Sequence, residues 1–195
     1  MNVLDTNQQA DSNPEFQLTP AYQPDLMTIT KRDGRSELVD VNKVVRAVQR
    51  CAQGLAHVDP MQVALKTIAG IYNGASTREL DELSIRTAAA FTAEEPQYTK
   101  LAARLLHAYI EKEVTGQGIY SFSQSIALGH EKGLINNRVH ELVNSNARKL
   151  NDAIHVEHNN RFDYFGLRTV YDRYLLRHPT QRKVIETPQQ FFMRI

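Results

Sequence analysis

One cysteine, Cys51, stands in a chain of 195 residues, which excludes an intrachain disulfide framework and a cysteine-rich zinc site and fits a reducing compartment. An excess of charge of one sign is missing as well. Lys and Arg total 23 against 22 Asp and Glu, a net charge of +1, so nothing global calls for a nucleic acid or an anionic membrane as partner. Any anion site has to be local. No run approaches the ~20 apolar residues that cross a bilayer, and the polar, acidic residues 1–23 contain no basic stretch leading into an apolar one, so no secretory signal is read. The expectation is a soluble cytoplasmic protein with no nucleic-acid and no membrane partner. Internal repeats, low-complexity tracts, a Ser-His-Asp set and a glycine-rich phosphate loop of the usual form are also missing.

What is present is a 42% hydrophobic content, enough for a real core. Residues 1–26, rich in Asn, Gln, Asp and Pro, offer little to bury and read as a mobile tail. Residues 27–32 and 36–39 flank Asp33-Gly34, a dipeptide that tolerates positive φ, and predict a tight β-hairpin. Asp40 then caps a helix whose apolar positions Val41, Val44, Val45, Val48, Ala52 and Leu55 recur at helical spacing up to Gly54. Asp59-Pro60 opens a second helix that is expected to stop at Asn73-Gly74. Ser76 and Glu79 have capping-box spacing for a third, with Leu80, Leu83, Ala88 and Phe91 inward. Pro96 opens a fourth, with Leu101, Leu105 and Ala108 inward and its end near Lys112. A short hairpin capping four amphipathic helices makes one unit over residues 27–118, the size of a small domain. The segment 119–195 reads as shorter helices at 122–132, 138–151 and 167–177, an extended run at 183–186 and a new start at Thr187-Pro188. Residues 189–195 look like the first turns of an apolar helix with no stop signal, so the chain is expected to end inside an element. The fold class is mainly α.

Lys43 falls in the first turn of its helix, where the macrodipole disfavours a cation by up to about 1 kcal/mol, and a bound anion would offset that cost. Lys31 and Arg32 lie on the hairpin just before, Lys112 at the end of the fourth stripe, and Thr77 at a helix start where free N–H groups favour anions. A polyphosphate needs such converging cations, because charge-assisted bonds are stronger than neutral ones. Glu37 and Asp40 could accept from an adenine amino group or a ribose. Taken singly, each residue has a plainer role: Lys31 and Arg32 in a solvated turn, Asp40 as a cap, Lys112 snorkelling, Thr77 assisting a cap.

The run Ile29-Thr30-Lys31-Arg32-Asp33-Gly34, then Glu37, then Asp40-Val41-Asn42-Lys43-Val44 resembles the amino-terminal signature of the ATP-cone domain. Pro96-Gln97-Tyr98-Thr99-Lys100-Leu101-Ala102-Ala103-Arg104-Leu105-Leu106 is similar to the fourth-helix signature of class Ia ribonucleoside-diphosphate reductase large subunits. Arg161-Phe162-Asp163-Tyr164-Phe165-Gly166-Leu167, Thr169-Val170-Tyr171-Asp172-Arg173-Tyr174 and Phe191-Phe192-Met193-Arg194 resemble the lead-in of the same subunits to a ten-stranded α/β barrel, which this chain does not contain. The resemblance implies that Lys31, Arg32, Lys43 and Lys112 contact phosphates with Thr77 near them. Ile29 would line the adenine, and Glu37, Leu38, Val39, Asp40, Val41, Asn42 and Lys43 would hold base and ribose. It further implies ATP or dATP as allosteric effector, with Mg2+, and no catalytic cofactor, catalytic residue or metal ligand in this region. The complete family enzyme is a thioredoxin- or glutaredoxin-dependent oxidoreductase that makes deoxyribonucleotides for DNA synthesis. Its partners are a radical-generating small subunit and further large subunits, and dATP drives an inhibited oligomer. Two departures stand out: Asp40 where Asn is common, and Asp81 where a phosphate-side His is common.

A nucleotide-sensing transcriptional repressor also carries this domain, but with a cysteine-rich zinc ribbon that one cysteine cannot form. A helical interaction module without ligand is the third alternative. His155 and His158 with Glu157 and Asp163 are read as loop rather than metal ligands. Arg168, Arg173, Arg177, Arg182 and Lys183 are diluted by acids as a nucleic-acid patch. Cys51 is read as a small core residue.

Overall fold

The computed structural model describes residues 27–195, and the expected tail 1–26 lies outside the described residues. Two strands, β1 (Thr28–Thr30) and β2 (Ser36–Leu38), pair antiparallel with Ile29 opposite Glu37. Their connection is not a two-residue turn. Gly34 N–H donates to Lys31 O at 3.0 Å and Lys31 N–H to Arg35 O at 2.7 Å, with Gly34 at φ +87, the pattern of a three-residue loop closed by a left-handed glycine. Arg32 therefore sits in the loop rather than in the strand.

Four helices follow: α1 (Val41–Ala52), α2 (Pro60–Ala69), α3 (Thr77–Ala90) and α4 (Tyr98–Thr115). Asp40 and Asp59 cap the first two through their side chains, and Ser76 with Glu79 forms the full capping box of the third. α2 ends at Gly70, a turn before the expected stop, because Asn73 and Gly74 serve the hairpin instead. Thr28 N–H donates to Asn73 Oδ1 at 2.9 Å, Gly74 N–H to Thr28 O at 2.8 Å and Thr30 N–H to Ala75 O at 2.9 Å. The segment before α3 thus runs along the free edge of β1, with Thr30 bridging Ser76 in parallel, and this contact sets the start of α3 beside the hairpin.

α4 is the axis of the molecule. Leu101, Ala102, Ala103, Leu105, Leu106, His107, Tyr109, Ile110, Glu113 and Val114 are all buried, so it is covered nearly all round rather than along one stripe. α1 and α3 cover one side and α8 (Tyr164–Arg173) another. The main core is accordingly continuous from Val48 and Ile85 through Leu106 and Ile110 to Leu167, Val184 and Ile185. A smaller cluster joins Phe122 and Ile126 of α5 (Phe122–Glu131) to Val143 of α6 (Asn137–Ser145).

The expected single helix at 138–151 is broken. α6 stops at Ser145 and α7 (Ala147–Asp152) begins after Asn146, whose Nδ2 donates back to Leu142 O at 2.9 Å, the local side-chain bond with which Asn competes against the helix ladder. α8 likewise occupies Tyr164–Arg173 rather than 167–177. Residues beyond it turn into an antiparallel bridge between Arg177 and Val184, and the buried Glu186 accepts from Leu176 N–H at 2.8 Å and from Arg194 Nε and Nη2, both at 2.9 Å. Thr187 and Gln190 form a second capping box for α9 (Pro188–Arg194).

Candidate functional site

A cavity of about 780 Å³ opens between the hairpin, α1, α3 and the end of α4, within the range of small-molecule sites. Strand alternation decides what the hairpin contributes. Ile29, Lys31, Glu37 and Val39 share the face that lines the cavity, whereas Leu38 belongs to the opposite face and is 54% exposed. α1 contributes Lys43, Val44, Ala47, Val48, Arg50 and Cys51 at helical spacing. α3 adds Thr77 from its first turn, then Leu80, Asp81 and Ser84, and α4 adds Leu105, Ala108 and Lys112.

Nine of the twelve residues singled out from the sequence therefore meet in one cavity: Ile29, Lys31, Arg32, Glu37, Val39, Asp40, Lys43, Thr77 and Lys112. Leu38, Val41 and Asn42 do not. Val41 and Asn42 are exposed residues at the start of α1, outside the lining. Asp81, noted from the sequence where a phosphate-side His is common, lines the cavity too, and Arg50, Ser84 and Cys51 line it without having been assigned to it. Arg50 lies seven residues after Lys43, two helical turns along the same face, a spacing that could have revealed it. Cys51 is half-buried, packed against the main core where that core meets the cavity wall, with its thiol pKa pushed up by burial.

Two carboxylates hold the cations in place. Glu37 Oε1 pairs with Lys31 Nζ at 2.8 Å and with Lys43 Nζ at 3.1 Å, and the two ammonium groups, Lys31 first, keep its carboxyl below the usual range. Asp81 bridges Arg32 at 3.0 Å and Lys112 at 2.8 Å. Arg32 Nη1 is buried and has no hydrogen-bond partner. Buried guanidinium nitrogens are rarely left so, and an anion oxygen entering the cavity would satisfy it. Apolar Ile29, Val44, Val48, Leu80 and Leu105 line the same cavity as these charged groups, so it offers both apolar surface that could take a flat ring and cations that could take phosphates. Among the described residues no group of three or more His, Cys, Asp or Glu is placed to hold a metal ion, and no helix is long and apolar enough to cross a membrane.

A family model described as the ATP cone domain matches residues 27–113, and one described as the ribonucleotide reductase, all-alpha domain, matches residues 160–195. Curated relatives agree. The ribonucleoside-diphosphate reductase large subunit of Arabidopsis thaliana is 37% identical over 180 residues, 87% of this chain and 21% of that protein. That of Caenorhabditis elegans is 35% identical over 178 residues, covering 86% and 22%. The ribonucleoside-diphosphate reductase large chain of Schizosaccharomyces pombe is 35% identical over 177 residues, covering 87% and 22%. The chain spans about a fifth of the length of these relatives. Residues 27–113 are thus similar to the ATP cone domain, and the chain is similar in sequence to ribonucleoside-diphosphate reductase large subunits over about a fifth of their length.

Proposed function

We propose that residues 27–118 are the regulatory unit of a ribonucleoside-diphosphate reductase large subunit, binding ATP or dATP in the cavity between hairpin, α1, α3 and α4. The observation that carries this is the convergence of Lys31, Arg32, Lys43 and Lys112, from a hairpin and two separate helices, on one cavity of nucleotide size. The triphosphate, accompanied by Mg2+, takes these four cations and the free N–H groups at the start of α3 near Thr77. Adenine lies against Ile29 and Val39, within reach of the Glu37 and Asp40 carboxylates. Residues 119–195 form the helical lead-in to the catalytic barrel. The whole protein reduces ribonucleoside diphosphates in the cytoplasm, together with a radical-generating small subunit and further copies of itself. ATP and dATP differ by one hydroxyl, so they regulate by favouring different conformations or assemblies through differential affinity.

A transcriptional repressor is disfavoured by the relatives, which are named as reductases, and a bare helical module by the cation-lined cavity. Thermal unfolding of the chain with and without nucleotide tests the proposal. At ~100 times its dissociation constant, Mg-ATP or Mg-dATP is expected to add about 2.7 kcal/mol of stability; no shift at millimolar concentration would refute it.

A further inference from the structure

A closed ring of side chains runs from the cavity to α8. Arg32 donates to Asp81 at 3.0 Å, and its guanidinium carbon lies 5.0 Å from the centroid of the Tyr109 ring. Tyr109 meets Tyr171 of α8 edge to face, with centroids 5.9 Å apart. Over that second ring stands Arg168, 5.5 Å from the centroid, and its Nη1 donates to both oxygens of Glu82 at 3.1 and 3.2 Å. Glu82 follows Asp81 in α3. Successive residues of one helix thus grip a cavity cation on one side and an α8 cation on the other, and the ring closes.

The two tyrosines at the centre of the ring are held tightly. Tyr109 and Tyr171 are buried, 6% and 7% exposed, and the Tyr171 hydroxyl donates to the buried Glu113 at 3.3 Å, so neither ring can drift without disturbing the α4–α8 contact. A guanidinium is attracted to a ring only while it stands over the face. A polyanion that draws Arg32 toward itself would take the cation from Tyr109 and the partner from Asp81 in one movement. Packed interiors answer such a change by repacking rather than by stretching.

We propose that this ring of Arg32, Tyr109, Tyr171, Arg168, Glu82 and Asp81 couples occupancy of the cavity to the packing of α8, the first helix of the segment that matches the all-alpha reductase domain. The coupling rests on the nucleotide reading above. Binding loosens α8 from α4, and Arg168 and Glu82 act as positioning residues that touch no ligand.

Amide hydrogen exchange of the full chain, with and without saturating Mg-ATP, tests it. In the wild type the α8 amides exchange about threefold faster with nucleotide, while amides at the start of α3 become protected. In Arg168→Gln, and in the near-isosteric Glu82→Gln should the first variant fold poorly, the protection at α3 persists and the α8 response is lost. Protection at α3 with unchanged or slowed α8 exchange in the wild type would overturn the coupling and leave the nucleotide site standing. An α8 response equal in wild type and variants would overturn it too. Absence of protection at α3 would remove both the site and the coupling.

Discussion

Lys31, Arg32, Lys43 and Lys112 each already have a carboxylate partner, so affinity for a polyanion depends on what the ligand must displace. Asp81 is the clearest case. It holds Arg32 and Lys112, is half-buried, and would face phosphate oxygens as a like charge. Asp81→Asn should therefore tighten Mg-ATP binding by about 1 kcal/mol, roughly fivefold, measured by calorimetric titration; weaker binding would mean that the carboxylate helps hold the ligand. His107 governs a different property. Burial in α4 pulls its pKa from 6.5 down to about 4. Between those values the unfolded chain holds a proton that the folded chain refuses, so stability is intact above 6.5 and falls as pH drops toward about 4. Urea denaturation at pH 7.5 and pH 5.0 should show a loss in the wild type that His107→Gln lacks, and an equal loss in both would assign the acid sensitivity to other groups.

At the scale of elements, ends were legible wherever a side chain makes the cap. Asp40, Asp59, Ser76 and Thr187 start their helices as their spacing predicts, and Ser76→Ala should cost about 0.5–2 kcal/mol in denaturant unfolding, against no measurable change if the capping box were incidental. The partner Glu79 has its carboxyl pulled to about 2, by the Ser76 N–H first and then the Tyr72 hydroxyl. Its contribution is present above 4.5 and is lost as pH falls from there toward about 2. Ends fixed by tertiary contact were not legible. α2 stops early because Asn73 and Gly74 bond to β1, and α8 shifts because the chain after it folds back onto Val184 and Glu186. The apolar stripe foreseen for α4 understated its burial, since helical periodicity shows one contact face and α8 covers another from 65 residues along the chain at the Thr99–Tyr164 bond. In the cavity, Lys31, Arg32, Lys43 and Lys112 were legible by type and position, and Arg50 was not. Leu38, Val41 and Asn42 were drawn in by their place in a contiguous motif, which strand alternation and the helix start then point elsewhere. Asp81 was seen only as a departure from a common pattern, and its bridge between Arg32 and Lys112 needed the packing of α3 against the hairpin and α4.

For the whole molecule, a single core joins the cavity-bearing helices to α8 and the strand-like segment beyond it, so a ligand in the cavity acts on a packed body rather than on a tethered appendage. Such a body can report occupancy only if the cavity binds. Calorimetric titration of Mg-ATP into the wild-type chain and into Lys43→Ala, with circular dichroism confirming equal helicity, measures this directly. Saturable binding by the wild type and its loss in the variant are the expected results. Heats that never saturate in the wild type at millimolar nucleotide, or identical affinities for the two proteins, would contradict a triphosphate held between Lys31, Lys43 and Lys112.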